Sequence, residues 1–175
     1  MRKAGCWILF LGIESASQKI LDWIGKKITI EQIRKAVKTI KRAGIQVLGS
    51  FIIGFPEETV NSVRQTINFA KKLDLDYAEF SILTPYPGTP IYKYAEKKGL
   101  LLTKDWSKYT ALEPVMKINI TAKQLKSLLQ KAFISFYLRP KIIWKWIKNK
   151  QFQYILNAFK AAINYLGKSL KQKMY

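Results

Sequence analysis

The chain alternates between strand-length apolar segments and longer segments whose apolar residues recur at helical spacing. Residues 7–13 are apolar without alternation, a pattern typical of strands that are covered on both faces in parallel sheets. Residues 47–53 and 77–83 form two further strand-length segments. The order strand–helix–strand–helix–strand at this spacing predicts an α/β fold, in which right-handed helical crossovers join parallel strands.

Capping signals bound the first two helices. Ser17 suits the N-cap of a short helix that Gly25 would end. Thr29 and Gln32 have the spacing of a capping box. That box predicts a second helix, which Gly44 would end.

Proline marks the connections after the second and third strands. Pro56 is followed by Glu57 and Glu58, and acids there suit the positive end of a helix dipole. Residues 84–90 (TPYPGTP) contain three prolines, which predict a rigid loop and a helix that starts at Ile91.

After Gly99 the pattern changes, and the tail that follows is helical, aromatic and basic. Thr121 and Gln124 form another capping box, and the following helix would break at Arg139 and Pro140. Its apolar positions are Leu125, Leu128, Leu129, Ala132, Phe133, Phe136 and Tyr137. Two further helical segments are predicted, residues 141–148 and residues 152–166.

The charge is concentrated at the carboxyl-terminal end of the chain. The 175 residues include 31 basic and 11 acidic ones, a formal charge of +20, yet residues 114–175 carry 13 basic residues and no acid. We therefore divide the chain into an α/β region, residues 1–113, and a basic amphipathic helical tail, residues 114–175. Such a tail is either a solvated face or the contact surface for an anionic membrane, RNA or an acidic protein.

The residue inventory excludes several kinds of site. With one Cys and no His, the sequence holds no self-contained zinc site, Ser-His-Asp triad, Cys-His pair or disulfide framework. We therefore assign no catalytic and no metal-binding residue, and we expect Cys6 to be a small core residue. No apolar run reaches the roughly 18–20 residues that span a bilayer, and a lone cysteine suits the reducing cytoplasm.

The amino-terminal residues also resemble a signal peptide. Arg2 and Lys3 precede the apolar run of residues 7–11, and small residues follow. Glu14 lies just before the would-be cleavage region, which favours a buried strand instead.

Polar side chains and a glycine lie where the three strands end. These positions are Glu14 with Ser15, Gly54, and Thr84 with Pro85. Ligands of parallel sheets bind at the carboxyl ends of the strands. There a carboxylate can accept hydrogen bonds from an amine or a ribose hydroxyl, and glycine lets a flat ring approach the backbone. The alternative is structural: Glu14 caps the next helix and Gly54 only turns the chain.

Four segments in this order resemble a known family. They are residues 12–15 (GIES), 49–59 (GSFIIGFPEET), 84–90 (TPYPGTP) and 136–140 (FYLRP). Together they are similar to the second half of a radical S-adenosylmethionine domain, most of all to the subgroup with an amino-terminal cobalamin-binding domain. The resemblance implies the second half of a partial (β/α)6 barrel, with this chain supplying strands four, five and six.

The resemblance also implies contacts with S-adenosylmethionine. The strand-four residues would touch its methionine or ribose part, the strand-five residues would pack on adenine, and the strand-six residues would offer backbone contacts to adenine. In that order the residues are Glu14, Ser15 and Ser17, then Ile52, Ile53 and Gly54, then Thr84 and Pro85. Glu58 matches the family's loop-shaping glutamate, and Glu57 stands where relatives usually have glycine.

The family's iron–sulfur ligands have no counterpart. Its [4Fe-4S] cluster is held by a CxxxCxxC loop after strand one, whereas this sequence contains only Cys6. Without a cluster the sulfonium receives no electron, so we expect no catalysis by the chain alone. We expect a split-gene product, a truncated reading frame or a subunit. Its cluster and any cobalamin would come from an amino-terminal half or partner chain, for methylations or rearrangements of unreactive carbons.

A non-catalytic binding module is the alternative function. Lysine and tryptophan alternate at Lys141, Trp144, Lys145, Trp146 and Lys148, which suits an anionic membrane surface or, less favourably, RNA. The competing interpretation is that these helices pack on the open end of the barrel with their lysines outward. We expect the protein in the cytoplasm, either free or peripheral to the membrane.

Overall fold

The computed structural model describes residues 1–148, Gln153 and Leu156. Three strands and six helices have these bounds: β1 Ile8–Glu14, α1 Gln18–Trp23, α2 Ile30–Arg42, β2 Gln46–Ile53, α3 Val60–Lys72, β3 Tyr77–Ile82, α4 Pro90–Lys97, α5 Ala122–Tyr137 and α6 Pro140–Lys148. Two short 3₁₀ helices, Arg2–Ala4 and Trp106–Lys108, lie before β1 and between α4 and α5.

The three strands form one parallel sheet in the order β1–β2–β3. Ile8 pairs with Gln46, and Leu48 pairs with Tyr77, so the carboxyl ends of all three strands lie at one edge. Helices α1 and α2 connect β1 to β2, and α3 connects β2 to β3. The predicted α/β half-barrel with three parallel strands is confirmed.

The core lies between the sheet and its helices. Alternate residues of β2 are buried, namely Val47, Gly49, Phe51 and Ile53. The rings of Phe51 and Phe80 stack with their centroids 5.3 Å apart, which extends the buried layer across β2 and β3. Helices α2 and α3 bury their apolar faces, including Val37 and Val63.

The expectation that β1 is covered on both faces is wrong. Within β1 only Ile13 is buried, and the Phe10 side chain is 61% exposed, as is that of Trp7 before the strand. The reason is topological: among the described residues β1 pairs only with β2, so it is an edge strand. Cys6, expected in the core, is only half-buried, and its Sγ lies 3.6 Å from the Ile8 carbonyl oxygen.

Two predicted capping boxes are confirmed. Thr29 and Gln32 exchange hydrogen bonds at the start of α2, and Thr121 and Gln124 do so before α5. Ser17 occupies the N-cap position of α1 without a side-chain capping bond.

The acids expected at the positive end of the helix after Pro56 do not lie in the first turn of α3. The helix begins at Val60 and is capped by Thr59 and Ser62, with no acid in its first turn. Glu57 and Glu58 therefore precede the helix, and Glu58 has a different role.

The described residues divide into two compact units, residues 1–129 and the described residues from Gln130 onward. In the second unit the predicted break at Arg139 and Pro140 is confirmed, because α5 ends at Tyr137 and α6 begins at Pro140. The helix predicted for residues 152–166 lies outside the described residues except for Gln153 and Leu156, and the division at residue 113 stays a prediction. Within the described residues no helix has both the length and the apolarity needed to cross a membrane.

Candidate functional site

A cavity of about 700 Å³ lies at the carboxyl ends of the strands. Each strand contributes to it at or beside its end: Glu14 from β1, Ile52 from β2, and Leu83 just after β3. The other walls come from the end of α1, the α1–α2 connection, the β2–α3 loop and α4, namely Trp23, Ile24, Gly25, Lys26, Phe55, Pro90, Ile91 and Tyr94. The cavity therefore joins all three strand ends in one site.

Glu14 ends β1 in an unusual backbone conformation. Its φ is 65°, a region that non-glycine residues rarely adopt. The pairing of β1 with β2 shifts register between Gly12 and Glu14, and such irregularities redirect side chains. A Cβ on Gly12 would lie 2.6 Å from Oε1 of Glu14, so the glycine makes room for the carboxylate.

The partner of Glu14 is Lys26. The lysine Nζ lies 2.8 Å from Glu14 Oε1, and the two side chains are only 29% and 18% exposed. Lys26 also donates to the carbonyl oxygen of Gly12. The structural alternative made Glu14 the helix cap, but the backbone N–H of Ser17 donates to Ser15 Oγ at 3.1 Å instead.

Three aromatic rings form one wall of the cavity. The Trp23 ring contacts those of Phe55 and Tyr94 edge to face, with centroids 6.2 and 6.0 Å apart. Trp23 and Tyr94 are partly exposed, whereas Phe55 is buried. The wall therefore offers apolar ring surface beside the charged pair of Glu14 and Lys26.

A buried carboxylate shapes the turn after β2. Glu58 Oε2 accepts hydrogen bonds from the backbone N–H of Gly54 at 2.6 Å and of Phe55 at 3.1 Å. The Glu58 side chain is 1% exposed, and its Oε1 has no hydrogen-bond partner among the described residues. Burial raises the pKa of this carboxyl from 4.5 to about 7, against the opposing effect of the two backbone donors.

Gly54 is required by the geometry of that turn. Its φ is 93°, and a Cβ there would lie 3.0 Å from Leu125 Cδ2. Gly54 does not line the cavity, but its neighbours Ile52 and Phe55 do. Gly54 and Glu58 therefore affect the cavity indirectly, because they fix the turn that places Phe55 in its wall.

Ser15 and Ser17 lie away from the cavity. Ser15 is fully buried, and its Oγ lies 3.4 Å from the Thr66 hydroxyl of α3. Ser17 lines a smaller cavity of about 220 Å³, together with Phe55 and Thr59. Ser15 thus ties the end of β1 to α3, and Trp23 and Phe55 line both cavities.

Thr84 and Pro85 directly follow Leu83 in the sequence and do not reach the cavity. Both are buried, and the Thr84 hydroxyl donates to the Ile82 carbonyl oxygen at 3.1 Å. Neither side chain lines the cavity. Of the residues predicted for the cofactor, Glu14 and Ile52 line it directly.

Sequence reasoning missed Lys26 and the aromatic wall of Trp23, Phe55 and Tyr94. Lys26 and Trp23 flank the predicted helix end at Gly25, in the connection that follows the first strand. That position was a usable signal, because such connections lie beside the carboxyl ends of parallel strands. Tyr94 lies one turn into α4, where no local pattern distinguishes a cavity residue from a surface residue.

The residues present do not fit an iron–sulfur cluster. The sequence has a single cysteine, and among the described residues no three His, Cys, Asp or Glu side chains are grouped so that they could hold a metal ion. Cluster ligands would have to come from residues outside this sequence.

Comparison with known proteins identifies relatives. The model of the radical SAM superfamily matches residues 1–70. An uncharacterized methyltransferase of Pyrococcus horikoshii is 57% identical over 146 residues, which cover 83% of this chain and 32% of that protein. Bacteriochlorophyllide d C-8(2)-methyltransferase of Chlorobaculum tepidum is 33% identical over 116 residues, which cover 65% of this chain and 26% of the relative.

A solved structure shares the fold. The archaeal Methanocaldococcus infernus Elp3 aligns with a TM-score of 0.58 and 17% identity, over 79% of this chain and 29% of the other. The chain spans about a third or less of the length of these two curated relatives. The family match covers β1, α2 and β2, and the two relatives extend past β3, so this chain contains part of a radical S-adenosylmethionine domain.

Proposed function

We propose that this chain forms the S-adenosylmethionine-binding strands of a radical S-adenosylmethionine methyltransferase. The observation that carries the proposal is the convergence of Glu14, Ile52 and Leu83 on one cavity of about 700 Å³. The methyltransferase relatives support the reaction class. The chain spans about a third or less of those two relatives, so the proposal assigns to it only the cofactor-binding strands.

The cavity matches S-adenosylmethionine in its chemistry. The cofactor combines a zwitterionic methionine with an adenine ring. When bound, it would supply the methyl group or the 5′-deoxyadenosyl group that its sulfonium carries. Glu14 accepts from an ammonium or a ribose hydroxyl, and Lys26 pairs with a carboxylate. The aromatic wall of Trp23, Phe55 and Tyr94 offers apolar surface for the adenine ring.

The cluster and any cobalamin belong to other segments in this proposal. A partner polypeptide or an amino-terminal half with the CxxxCxxC loop would supply the [4Fe-4S] cluster. The contribution of this chain is to bind and orient the cofactor, and Glu58 holds the loop that carries Phe55 into the cavity.

Anaerobic reconstitution with iron and sulfide tests this division of labour. We expect the purified chain to stay colourless and to form no 5′-deoxyadenosine from S-adenosylmethionine. Addition of a polypeptide that carries CxxxCxxC and strands one to three should restore product formation. A stoichiometric cluster with an electron-paramagnetic signal in the chain alone would contradict the proposal, as would a restored complex without product.

A second candidate function is adsorption to an anionic membrane through the tail. On α6 the Trp144 side chain is 68% exposed and Ile147 is also exposed. Lys141 and Lys148 are exposed on the same short helix, and basic residues beside exposed apolar ones favour an interfacial position. The vesicle measurement described in the Discussion tests this candidate.

A further inference from the structure

A basic groove lies between α2 and the end of α3. It has a volume of about 500 Å³ and is lined by Arg34, Val37, Lys38, Lys41, Arg42, Lys72, Leu73 and Asp74. Val37 and Leu73 are buried and form its floor, whereas the cations Arg34, Lys38, Arg42 and Lys72 are exposed. Five cations therefore face one carboxylate in a concave surface.

Helix dipoles account for only some of these cations. Lys41 and Arg42 lie in the last turn of α2, and Lys72 lies in the last turn of α3, where positive charge complements the helix end. The dipole effect fades within one turn. Arg34 and Lys38 lie further up α2, so their position in the groove needs another reason.

Most of the groove's positive charge is not neutralised within the described structure. Lys41 is paired with Asp76 at 2.6 Å. No ion pair among the described residues includes Arg34, Lys38, Arg42 or Lys72. Like charges this close repel one another, so the arrangement favours an external anion.

The Arg34 guanidinium is held in place by an aromatic ring. Its carbon lies 4.7 Å from the centroid of the Phe69 ring of α3, a cation–π contact that bridges the two helices. Such a contact leaves the edge of the guanidinium able to donate hydrogen bonds, and that geometry suits bidentate contacts with phosphate.

We propose that this groove binds the phosphate backbone of a polynucleotide. Arg42 follows Arg34 by eight positions on α2, which is about 12 Å along the helix axis at a rise of about 1.5 Å per residue. A single phosphate group is too small to contact cations along the whole of that length. Successive phosphates of a nucleic-acid strand advance about 3.4 Å along the duplex axis, so about three of them match the groove.

The surroundings of the groove favour a polynucleotide over a membrane. Membrane-surface sites combine cations with exposed aromatic or aliphatic residues, but Val37, Leu73 and Phe69 are all buried here. The absence of an exposed ring among the groove residues also predicts contacts with the backbone rather than stacking on bases.

The groove is separate from the candidate cofactor site. Asp76, which pairs with Lys41, also accepts from the backbone N–H of Val47 at 2.8 Å, which places this region at the amino-terminal ends of β2 and β3. The cavity of Glu14 lies at the opposite ends of the strands. A polynucleotide in the groove is therefore independent of the proposed function.

Fluorescence anisotropy with a labelled 20-nucleotide RNA of mixed sequence tests the proposal on the full chain. The groove variant is R34Q/K38Q/R42Q. A control, K93Q/K97Q/K98Q, removes equal charge from exposed lysines on and just after α4. We expect at least tenfold weaker binding in the groove variant and less than threefold in the control. Loss of three phosphate contacts should also lower the slope of log K against log salt by about 2.

A second groove variant is needed in case the loss of Arg34 disturbs the packing of α2 on α3. K38Q/R42Q/K72Q leaves Arg34 on Phe69, and circular dichroism and thermal melting verify the fold of each variant. Equal losses in the groove and control variants would overturn the proposal, because binding would then depend on the overall positive charge and not on the groove. A groove variant that loses adsorption to phosphatidylserine vesicles but keeps RNA affinity would overturn it in favour of a membrane.

Discussion

The Lys26 ammonium lies 2.8 Å from the Glu14 carboxylate at the mouth of the cavity. Gly12 makes this contact possible, because any side chain at that position would meet both charged groups. The ion pair therefore depends on three residues. Glu14 at the strand end and Lys26 in the α1–α2 connection form the pair, and the strand glycine Gly12 leaves the space for it.

Gly12→Ala should disrupt the ion pair without unfolding the protein. The added Cβ would lie 2.6 Å from Glu14 Oε1 and 2.9 Å from Lys26 Nζ, and both are ends of flexible side chains that can move. We expect faster chemical acetylation of Lys26, read by mass spectrometry, with a stability loss below about 1 kcal/mol.

Gly49→Ala is the matched control for that substitution. Its Cβ would lie 2.8 Å from Leu75 Cδ1 and 3.0 Å from Ile13 Cδ1, inside the core. Overpacking there should cost about 1–3 kcal/mol of stability and leave Lys26 acetylation unchanged. If Gly12→Ala leaves Lys26 as protected as in the wild type, the inferred role of Gly12 is wrong.

Glu58 should make stability fall as the pH rises towards neutrality. Its pKa is about 7 in the folded protein and 4.5 when unperturbed. The folded state thus binds the proton more tightly, and the stabilisation is complete below pH 4.5 and lost as pH rises through 7. Integration over that range gives about 3 kcal/mol, measurable by urea unfolding between pH 4.5 and 8.

Glu58→Gln isolates this effect from the other acids. Glutamine keeps an oxygen for the N–H groups of Gly54 and Phe55 but does not titrate. The difference in unfolding free energy between wild type and variant should therefore change with pH, in the wild type's favour at low pH. A constant difference from pH 4.5 to 8 would show that Glu58 is already ionised in the folded protein.

Gly54→Ala should cost more stability than Gly88→Ala. Both glycines have positive φ, 93° and 85°, but a Cβ on Gly88 meets no atom within 4 Å. Backbone strain alone is worth about 1–2 kcal/mol. Gly54→Ala adds the 3.0 Å contact with Leu125 Cδ2, so thermal melting should show a larger loss. Equal losses would mean that Leu125 moves aside freely.

Much of this fold could be read from local patterns. The three strand segments, the capping box of Thr29 and Gln32, and the break before Pro140 all follow from interactions between residues close in sequence. The exposure of Phe10 could not be read in this way, because an apolar run does not reveal how many neighbours its strand will have.

The site was predictable only in outline. Glu14 was found because strand ends converge in parallel sheets, whereas Ile52 was implied only by the family resemblance. The Lys26–Glu14 pair joins residues 12 positions apart through a connection without periodicity, so only the position of Lys26 beside the predicted helix end at Gly25 pointed to it. Glu58 lies beside Glu57 in the sequence, yet one is buried and the other exposed, a difference that only the turn after β2 determines.

The tail should adsorb to anionic vesicles in a salt-dependent manner. Residues 114–175 carry 13 basic residues and no acid, and each basic group near such a surface contributes about 1 kcal/mol. Sedimentation with phosphatidylserine vesicles should show binding that decreases as salt rises, and K141Q/K148Q should weaken it. Equal binding to neutral phosphatidylcholine vesicles, or none at low salt, would contradict the electrostatic basis.

The most direct test is calorimetric titration of S-adenosylmethionine into wild-type chain, Glu14→Gln and Glu96→Gln. Glu96 also pairs with a lysine, Lys104, but on the exposed side of α4, so its variant controls for loss of an ion-paired acid. A hydrogen bond to a charged group is worth about 1.5–3 kcal/mol, so affinity should fall roughly 10- to 150-fold in Glu14→Gln alone. Thermal stability should stay within about 1 kcal/mol of the wild type. Absence of saturable binding, or a stability loss in Glu14→Gln with unchanged affinity, would contradict the account.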